Sequence, residues 1–406
     1  MARRKRIAVL LPALALVAVT AEWTPAVPPA QSPSTAVAAA HGHPGPHGRP
    51  GRPSQPPTSE PSAPADPSEP PVDPSNPPLD PGDPSADPSN PPLDPGDPVP
   101  SPAPSQSPGD PADLEGPTPQ DYVNIRQVGR TARAPRPGRN ASRGTFTSRC
   151  GRNQNGHYNP DNFIVAPGVQ NGAHHLHDYV GNLTADGFST DQSLAAGGTT
   201  CQAGDRSSYY WPVLRLRAGQ DTTPHAEQSR QDGNIGRVLV PASVNLQFRG
   251  NPRSRVVAMP RFIRVITGDA KAATNGPANA RSQWTCGGFT NRVTTQYPLC
   301  PRGTQVMRVL DFPSCWDGRN LDSANHRTHI VFPDAATGAC PAGTRAVPQL
   351  RMTIAYNVPA RVGAFALDSF PEQRHNPGTD HGDFANVMPV GLMNRAVNCI
   401  NSGRRC

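Results

Sequence analysis

Proline is the residue that most limits what this chain can fold into. The sequence of 406 residues contains 53 prolines, and most of them precede residue 140. Because proline fixes φ and has no N–H, such a stretch cannot form the interior of a helix or a sheet. It also contains a repeat, DPSNPPLDPGDP, at 73–84 and again at 87–98. We therefore predict a disordered, extended Pro/Ser/Asp-rich stalk over residues 22–143 and a globular domain over 144–406.

The first 21 residues have the pattern of a signal peptide. A charged start, Arg3-Arg4-Lys5-Arg6, precedes an apolar run over 7–21 that is too short to cross a bilayer comfortably. Small residues precede position 22, where cleavage would release the chain. We expect a secreted protein, with attachment to the cell wall left open, and no membrane contact after cleavage.

All the cysteines lie in the predicted globular domain, at positions 150, 201, 286, 300, 315, 340, 399 and 406. The number is even and no CxxC pair occurs, so with an export signal the pattern predicts up to four disulfides. Spacing leaves the pairing open. A zinc–thiolate site is the alternative, which the wide spacing disfavours.

The net charge of +7 comes almost entirely from arginine, since only Lys5 and Lys271 are lysines. The arginines are scattered and do not form the basic stripe with aromatic residues that nucleic-acid binding needs. We therefore expect no nucleic-acid partner and a monomer. Weak attraction to anionic wall polymers or acidic glycans stays open.

Short β-rich runs separated by Gly, Pro and Asn fill the domain. We predict strands at 163–166, 209–217, 237–248, 256–266, 306–312, 329–332 and 349–356. Long amphipathic helical periods are absent. The fold class predicted is mainly β, a β-sandwich or jelly-roll-like domain with long disulfide-braced loops.

The first polar cluster runs from His174 to Asp178. In an extended segment His175 and His177 share one face, so both imidazoles can ligate one metal ion or act in proton transfer. We assign these two as metal ligands and His174 to ligand binding. The alternative is a hydrogen-bonded polar loop without chemistry.

The second cluster lies within 313–333. Asp317 and Asp322 are candidate catalytic carboxylates, and a helical turn would place His326 and His329 on one face as metal ligands. Trp316 and Asn320 are candidates for ligand binding, since an indole face can stack on a sugar ring. Alternatively, Trp316 belongs to the core beside a Cys315 disulfide.

The third cluster is Asp380-His381-Gly382-Asp383. If Gly382 allows a sharp turn, His381 and Asp383 can converge as catalytic groups. The alternative is a turn with solvent-facing charges. The chain has no Gly-x-Ser-x-Gly, Walker, Rossmann or His-Glu-x-x-His motif, which disfavours serine-nucleophile and phosphate-cofactor chemistry.

Three motifs together resemble a known family. FIVAPGVQNGAHHLHDYVGN at 163–182, DFPSCWDGRNLDSANHRTHIVFP at 311–333 and HGDF at 381–384 look like the family called domain of unknown function 1996. The resemblance extends over about residues 149–393. It implies a secreted β-rich domain of the kind found in fungal and actinobacterial proteins beside glycan-binding or wall-associated modules, and it implies no particular reaction.

Our leading hypothesis is an extracellular glycan-active protein, a hydrolase with or without a divalent metal ion, whose site unites the three clusters. The partner would be an extracellular polysaccharide or cell-wall polymer. A glycosidase would place two carboxylates about 5–10 Å apart, and a metal site would bring three or four donors within about 2.0–2.2 Å of one point. The alternatives are a non-catalytic glycan- or wall-binding module and a structural surface protein.

Overall fold

The computed structural model describes residues 116–406. The predicted signal peptide, the repeat and most of the predicted stalk lie outside the described residues. The described part contains strands β1 to β18, in chain order Tyr122–Asn124, Thr145–Ser148, Tyr158–Asn159, His177–Gly181, Ser208–Pro212, Leu214–Leu216, Arg237–Val238, Ser243–Arg249, Arg264–Gly268, Trp284–Cys286, Tyr297–Leu299, Val306–Asp311, Cys315–Trp316, Ile330–Val331, Arg345–Ala346, Gln349–Tyr356, Phe365–Leu367 and His381–Ala385. Helices α1 to α4 are Asp191–Ala196, Ala226–Gln231, Ala272–Asn275 and Val390–Asn401.

Two five-stranded antiparallel sheets dominate the described part. The first, which we call the site sheet, has the order β3-β4-β5-β18-β9, and the second, the support sheet, has the order β10-β12-β16-β8-β2. In the support sheet, the residues of β12 and β16 alternate between buried and half-buried positions over most of each strand. The prediction of a mainly β fold is confirmed.

Aromatic side chains pack the two sheets together. Phe384 of the site sheet meets Phe248 of the support sheet edge to face at 5.9 Å, and Phe312 meets Phe384 at 6.3 Å. All three are at most 1 % exposed, so each contributes about 2–3 kcal/mol of burial free energy. One face of the site sheet is therefore committed to the core, which leaves the other face for a site.

Local hydrogen bonding overrides some of the predicted strands. The strand predicted at 163–166 is a turn, because the side-chain oxygen of Asn162 accepts the backbone N–H groups of Ile164 and Val165 at 3.0 and 3.1 Å. The strand predicted at 209–217 is divided at Val213 into β5 and β6. At 163–166 the hydrogen bonds to the Asn162 side chain give the backbone an alternative to pairing in a sheet.

Two elements lie where the sequence suggested no regular structure. Strand β1 falls inside the range assigned to the stalk, yet it pairs in parallel with β11. Helix α4 spans 12 residues and buries an amphipathic face at 392, 393, 396, 399 and 400. Within residues 116–406 no helix has the length and apolar character needed to span a membrane.

All eight cysteines are paired. The disulfides join Cys150 to Cys201, Cys286 to Cys300, Cys315 to Cys340, and Cys399 to Cys406. The prediction of four disulfides is confirmed. Since no free thiol remains among the cysteines, the zinc–thiolate alternative is excluded.

Candidate metal centre and cleft

The register of the site sheet places two of the predicted site histidines in one row. Strand β5 lies between β4 and β18, with His177 opposite Pro212 and Asp383 opposite Tyr210. Continuing the second pairing by two residues puts His381 opposite Pro212 as well. Residues in one row of a sheet point to the same face, so His177 and His381 lean towards each other over Pro212. His175, two residues before His177, reaches the same point.

The three imidazoles converge on their Nε2 atoms. The Nε2 separations are 3.1 Å between His175 and His177, 3.2 Å between His175 and His381, and 3.5 Å between His177 and His381. Zn–N bonds of about 2.0–2.1 Å in a tetrahedral centre place neighbouring ligand nitrogens about 3.3–3.4 Å apart. The three nitrogens therefore form one face of a tetrahedron of the size that a zinc-like ion requires. We call them the histidine triad.

Hydrogen bonding within the histidine triad cannot account for this geometry. Each Nε2 is either a donor or an acceptor. In a triangle of three such atoms, at least two must be alike, so at least one short contact opposes two lone pairs or two protons. A cation between the nitrogens satisfies all three at once.

The other ring nitrogen of His381 fixes its tautomer. Nδ1 lies 2.8 Å from the carbonyl oxygen of Thr379 and donates to it, which leaves the lone pair on Nε2. Nδ1 of His175 and of His177 has no hydrogen-bond partner among the described residues. The Ala173 carbonyl raises the pKa of His175 and the Asp161 carbonyl that of His177, but neither carbonyl is placed to accept a well-formed hydrogen bond from the ring.

The environment keeps the triad neutral. Burial lowers the pKa of His175 and His177 well below the usual range, and the neighbouring imidazoles lower it further. Burial likewise lowers the pKa of His381 to about 4. Neutral imidazoles are the form that binds metal, so no proton has to leave the triad near neutral pH.

Aromatic contacts hold two of the rings in place. Phe370 packs edge-on against His175 at 5.2 Å, and Tyr210 packs against His177 at 5.4 Å. The Tyr210 hydroxyl is itself anchored, because it donates to Asn162 Oδ1 at 2.9 Å. Rings locked by packing and by such supporting bonds form a preorganised site.

Strand β18 is anchored beneath the triad by a buried ion pair. Arg308 of the support sheet donates to Asp380 through Nε at 3.1 Å and also through Nη2, and both side chains are fully buried. Arg308 also donates to the Pro212 carbonyl at 2.7 Å. Strand β18, which carries His381, and strand β5, which lies between β4 and β18, are thus tied to the core at the row of the triad.

Two glycines allow the close packing around His381. Gly268 has φ of +80°, and a Cβ there would lie 2.3 Å from the Asp380 carbonyl oxygen. A Cβ on Gly382 would lie 2.8 Å from Leu310. Gly382 therefore serves packing against the core. The sharp turn expected at Gly382 is absent, because β18 is extended there, and His381 and Asp383 share a face as alternate residues of a strand.

A cleft of about 260 Å³ opens beside the triad, and His175, His381 and Asp383 contribute to its wall. Asp383 is 2 % exposed, and its Oδ2 has no hydrogen-bond partner within residues 116–406. Burial raises the pKa of Asp383 to about 7, against the opposing effects of Asn162 and Arg327. The remaining wall includes Asn162, Asp269, Lys271, Arg327 and Phe370.

Asp178 does not support the triad, since it points to the opposite face of the site sheet from its neighbour His177. It accepts hydrogen bonds from Asn153 at 2.8 Å and from Trp211 at 3.2 Å. His174 also points away. Its ring is 54 % exposed and lies 3.2 Å from Asp232, and it is absent from the cleft wall.

The residues predicted from 313–320 form a local turn. Asp317 Oδ1 accepts the backbone N–H groups of Arg319 and Asn320 at 2.8 and 2.9 Å, and its Oδ2 accepts the Asn320 amide at 2.6 Å. Trp316 packs on the core and donates from Nε1 to the Asn320 carbonyl at 2.7 Å. None of the three contributes to the cleft wall.

His326 and His329 do not join the histidine triad. His326 Nδ1 lies 2.9 Å from Asp322 Oδ1, four residues earlier in the chain. His329 is bonded at both ring nitrogens, to Ser323 Oγ at 3.0 Å and to the Arg264 carbonyl at 2.7 Å. Among residues 116–406, the histidine group placed to hold a metal ion is the triad alone.

Sequence reasoning missed several residues of the cleft wall. Arg327 lies between the two histidines of the second cluster, and the interpretation of that cluster considered only its histidines and carboxylates as candidate metal ligands or catalytic groups. Lys271 carried one usable signal, since it is the only lysine of the predicted domain. Asn162, Asp269 and Phe370 stand in segments without any distinctive pattern.

Comparison with known proteins gives one result. No curated protein and no solved structure matches the chain significantly. A family model described as domain of unknown function (DUF1996) matches residues 162–387, a span that contains the whole triad and Asp383. The match covers more than half of the chain, and the chain therefore belongs to the DUF1996 family.

Proposed function

We propose that this domain is a metal-dependent hydrolase that acts on an extracellular polysaccharide. The observation that carries the proposal is the histidine triad, with three buried, neutral imidazoles whose Nε2 atoms lie 3.1–3.5 Å apart. Three protein ligands and one open position are the usual arrangement of a catalytic zinc ion, whereas structural zinc sites are closed by a fourth ligand. Imidazole donors suit zinc, copper, iron and nickel.

The open position would face the cleft, because His175 and His381 form part of its wall. A metal ion held there would lower the pKa of a bound water and supply a hydroxide nucleophile near neutral pH. In the overall hydrolysis the hydroxyl group of the water would end on the electrophilic carbon of the substrate, and the proton of that water would end on the leaving oxygen.

Asp383 is positioned to assist. Its unpartnered Oδ2 is buried in the same wall as His381. A carboxylate oxygen there can accept a hydrogen bond from the metal-bound water and orient it towards the substrate. We assign Asp383 this positioning role.

The extracellular location in this proposal rests on the sequence and on the disulfides. The signal-peptide pattern of residues 1–21 and the stalk favour export. Four disulfides persist only in an oxidising compartment. We therefore propose a secreted protein that acts at or near a cell wall.

The test begins with metal content. The purified chain is stripped with a chelator, incubated separately with Zn²⁺, Cu²⁺, Mn²⁺ and Ca²⁺, desalted and measured by mass spectrometry. We expect one equivalent of a transition metal, retained in His326→Ala and lost in His177→Ala. Release of reducing ends and of acyl groups from a polysaccharide panel should follow metal content.

Two results would overturn the proposal. If the wild-type protein retains no metal, the proposal loses its basis. Hydrolysis that continues unchanged after chelation removes the metal from the reaction. Polysaccharide binding without metal and without hydrolysis would instead favour the non-catalytic binding module.

A further inference from the structure

A second cavity adjoins the cleft and shares a wall with it. This cavity of about 230 Å³ is bordered by Ile266 and Arg327, both of which also line the cleft. Its far side is formed by Arg281 and Phe332. Together the two volumes fall within the range of about 300–1,000 Å³ that is usual for ligand sites.

Arg327 stands at the junction of the two cavities with most of its hydrogen-bonding capacity unused. It is half-buried, and Nη2 donates to the Gly268 carbonyl at 2.8 Å. Within residues 116–406, no carboxylate oxygen lies within 4.0 Å of its guanidinium. A guanidinium offers five N–H donors in a fork that fits a carboxylate, so this group has room for an anionic ligand.

Further cations flank Arg327 on both sides. Arg281 lies over the Phe332 ring at 5.1 Å, and its hydrogen bonds to the described part of the chain go to the Ala278 and Ala280 carbonyls. Lys271, on the cleft side, lies over the Phe370 ring at 4.4 Å. Two of the three cations thus sit on an aromatic face, a combination that suits rings bearing negative charge.

We propose that the two cavities form one groove and that it binds a polysaccharide containing uronic acid residues. A uronate carboxylate would pair with Arg327, and the neighbouring sugars would extend towards Phe332 on one side and towards the triad on the other. A polymer with uronic acid residues would also be the substrate class of the proposed hydrolase, so its hydrolysis rests on the proposed function. Binding of the polymer to the groove does not depend on that function.

The test uses hexagalacturonate and its fully methyl-esterified form, which has the same sugars without the charge. Binding to the metal-stripped full chain is measured by calorimetry. We expect the charged oligomer to bind and the ester to bind at least about 10-fold more weakly. Arg327→Gln should weaken binding of the charged oligomer by about 10–100-fold, and Arg281→Gln by less.

Arg319→Gln is the matched control, since Arg319 is exposed in the turn at Asp317 and away from both cavities. Arg327→Lys keeps the charge but loses the fork, so we expect intermediate affinity. Equal affinity for acid and ester overturns the proposal, and so does equal loss in Arg319→Gln and Arg327→Gln. A third arm, a glycerol-phosphate oligomer, identifies a phosphate polymer, and binding to that oligomer alone would also overturn it.

The His177→Ala variant separates this inference from the proposed function. If it binds hexagalacturonate as the wild type does, the groove stands whatever the metal experiment shows. If the protein holds metal and hydrolyses a neutral polysaccharide without preferring the acid, the hydrolase stands and the groove proposal fails.

Discussion

Two histidine-containing regions of this domain look alike in sequence and differ in structure. The histidine triad joins His175 and His177 to His381, which lies 206 and 204 residues further along the chain, respectively. The stretch 313–333 holds Asp322, His326 and His329 within eight residues. In the triad the imidazoles face each other, whereas in 313–333 His326 faces Asp322, and His329 bonds to Ser323 and to the distant Arg264 carbonyl.

The difference lies in what satisfies the polar atoms. Every ring nitrogen of His329 has a hydrogen-bond partner, and His326 has a carboxylate. In the triad, two Nδ1 atoms have no partner and three Nε2 atoms oppose one another. Since buried polar groups are normally paired, the unsatisfied atoms of the triad support our proposal that a ligand binds there. In 313–333, by contrast, side-chain and backbone groups of the protein itself pair with the imidazoles.

The largest expected difference between the two regions is in stability. Asp380→Asn leaves the buried guanidinium of Arg308 without its counter-charge, which should cost about 3–5 kcal/mol of unfolding free energy. Asp317→Asn disturbs only a surface turn and should cost at most about 1 kcal/mol. Urea denaturation followed by tryptophan fluorescence measures both. Similar losses in the two variants would mean that the triad is no more dependent on long-range anchoring than the turn.

Metal affinity should separate the regions next. His381→Ala removes one of three ligands, and we expect affinity for Zn²⁺ to fall by at least about 100-fold, more than the loss of an outer-shell partner causes. His329→Ala should leave Zn²⁺ affinity unchanged. Competition with a chromophoric chelator gives both values. A loss of Zn²⁺ affinity in His329→Ala would show that the stretch 313–333 takes part in metal binding.

The sequence predicted the first of these regions only in part. Alternation placed His175 and His177 on one face, and HGDF marked His381. The join between them depends on how β4 and β18 pair with β5, and strand register over such separations leaves no local signal. The same limit applies to Arg327 and Lys271, which reach the cleft through the loop and the short helix that border β9.

Fold class was easier to predict because its signals are local. Alternation in Gln349–Tyr356 indicated a strand with one buried face, and the even cysteine number indicated disulfides. The turn at 163–166 was missed because its apolar residues resemble a strand, while the deciding hydrogen bonds come from the Asn162 side chain. Helix α4 was missed because its pattern of apolar residues extends over only 12 residues.

Turnover should distinguish the carboxylates of the two regions. Asp383→Asn keeps the shape of the side chain but weakens its acceptor, so we expect hydrolysis to fall by about 10–100-fold with metal content retained. Asp322→Asn should hydrolyse as the wild type does, since Asp322 contacts His326 outside the cleft. Initial rates on the best polysaccharide of the panel, with metal measured in each sample, give the comparison. Equal rates in the two variants would remove Asp383 from the reaction.

The smallest effect concerns pH and tests whether His329 is a structural residue. Burial lowers the pKa of His329 below its usual value of 6.5, against the opposing effect of the hydrogen bond that its Nε2–H donates to the Arg264 carbonyl. The unfolded chain therefore takes up this proton first as pH falls. Its contribution to stability is complete above pH 6.5 and declines below it until the folded pKa is reached.

His329→Gln replaces the donor by an amide that does not titrate. We expect the unfolding free energy of this variant to depend less on pH below 6.5, by at most about 1.4 kcal/mol per pH unit. Denaturation series at pH 5 to 8 on the metal-stripped protein measure the slope. A pH dependence identical to that of the wild type would show that His329 binds its proton equally in both states, and its burial would then have no part in keeping the ring neutral.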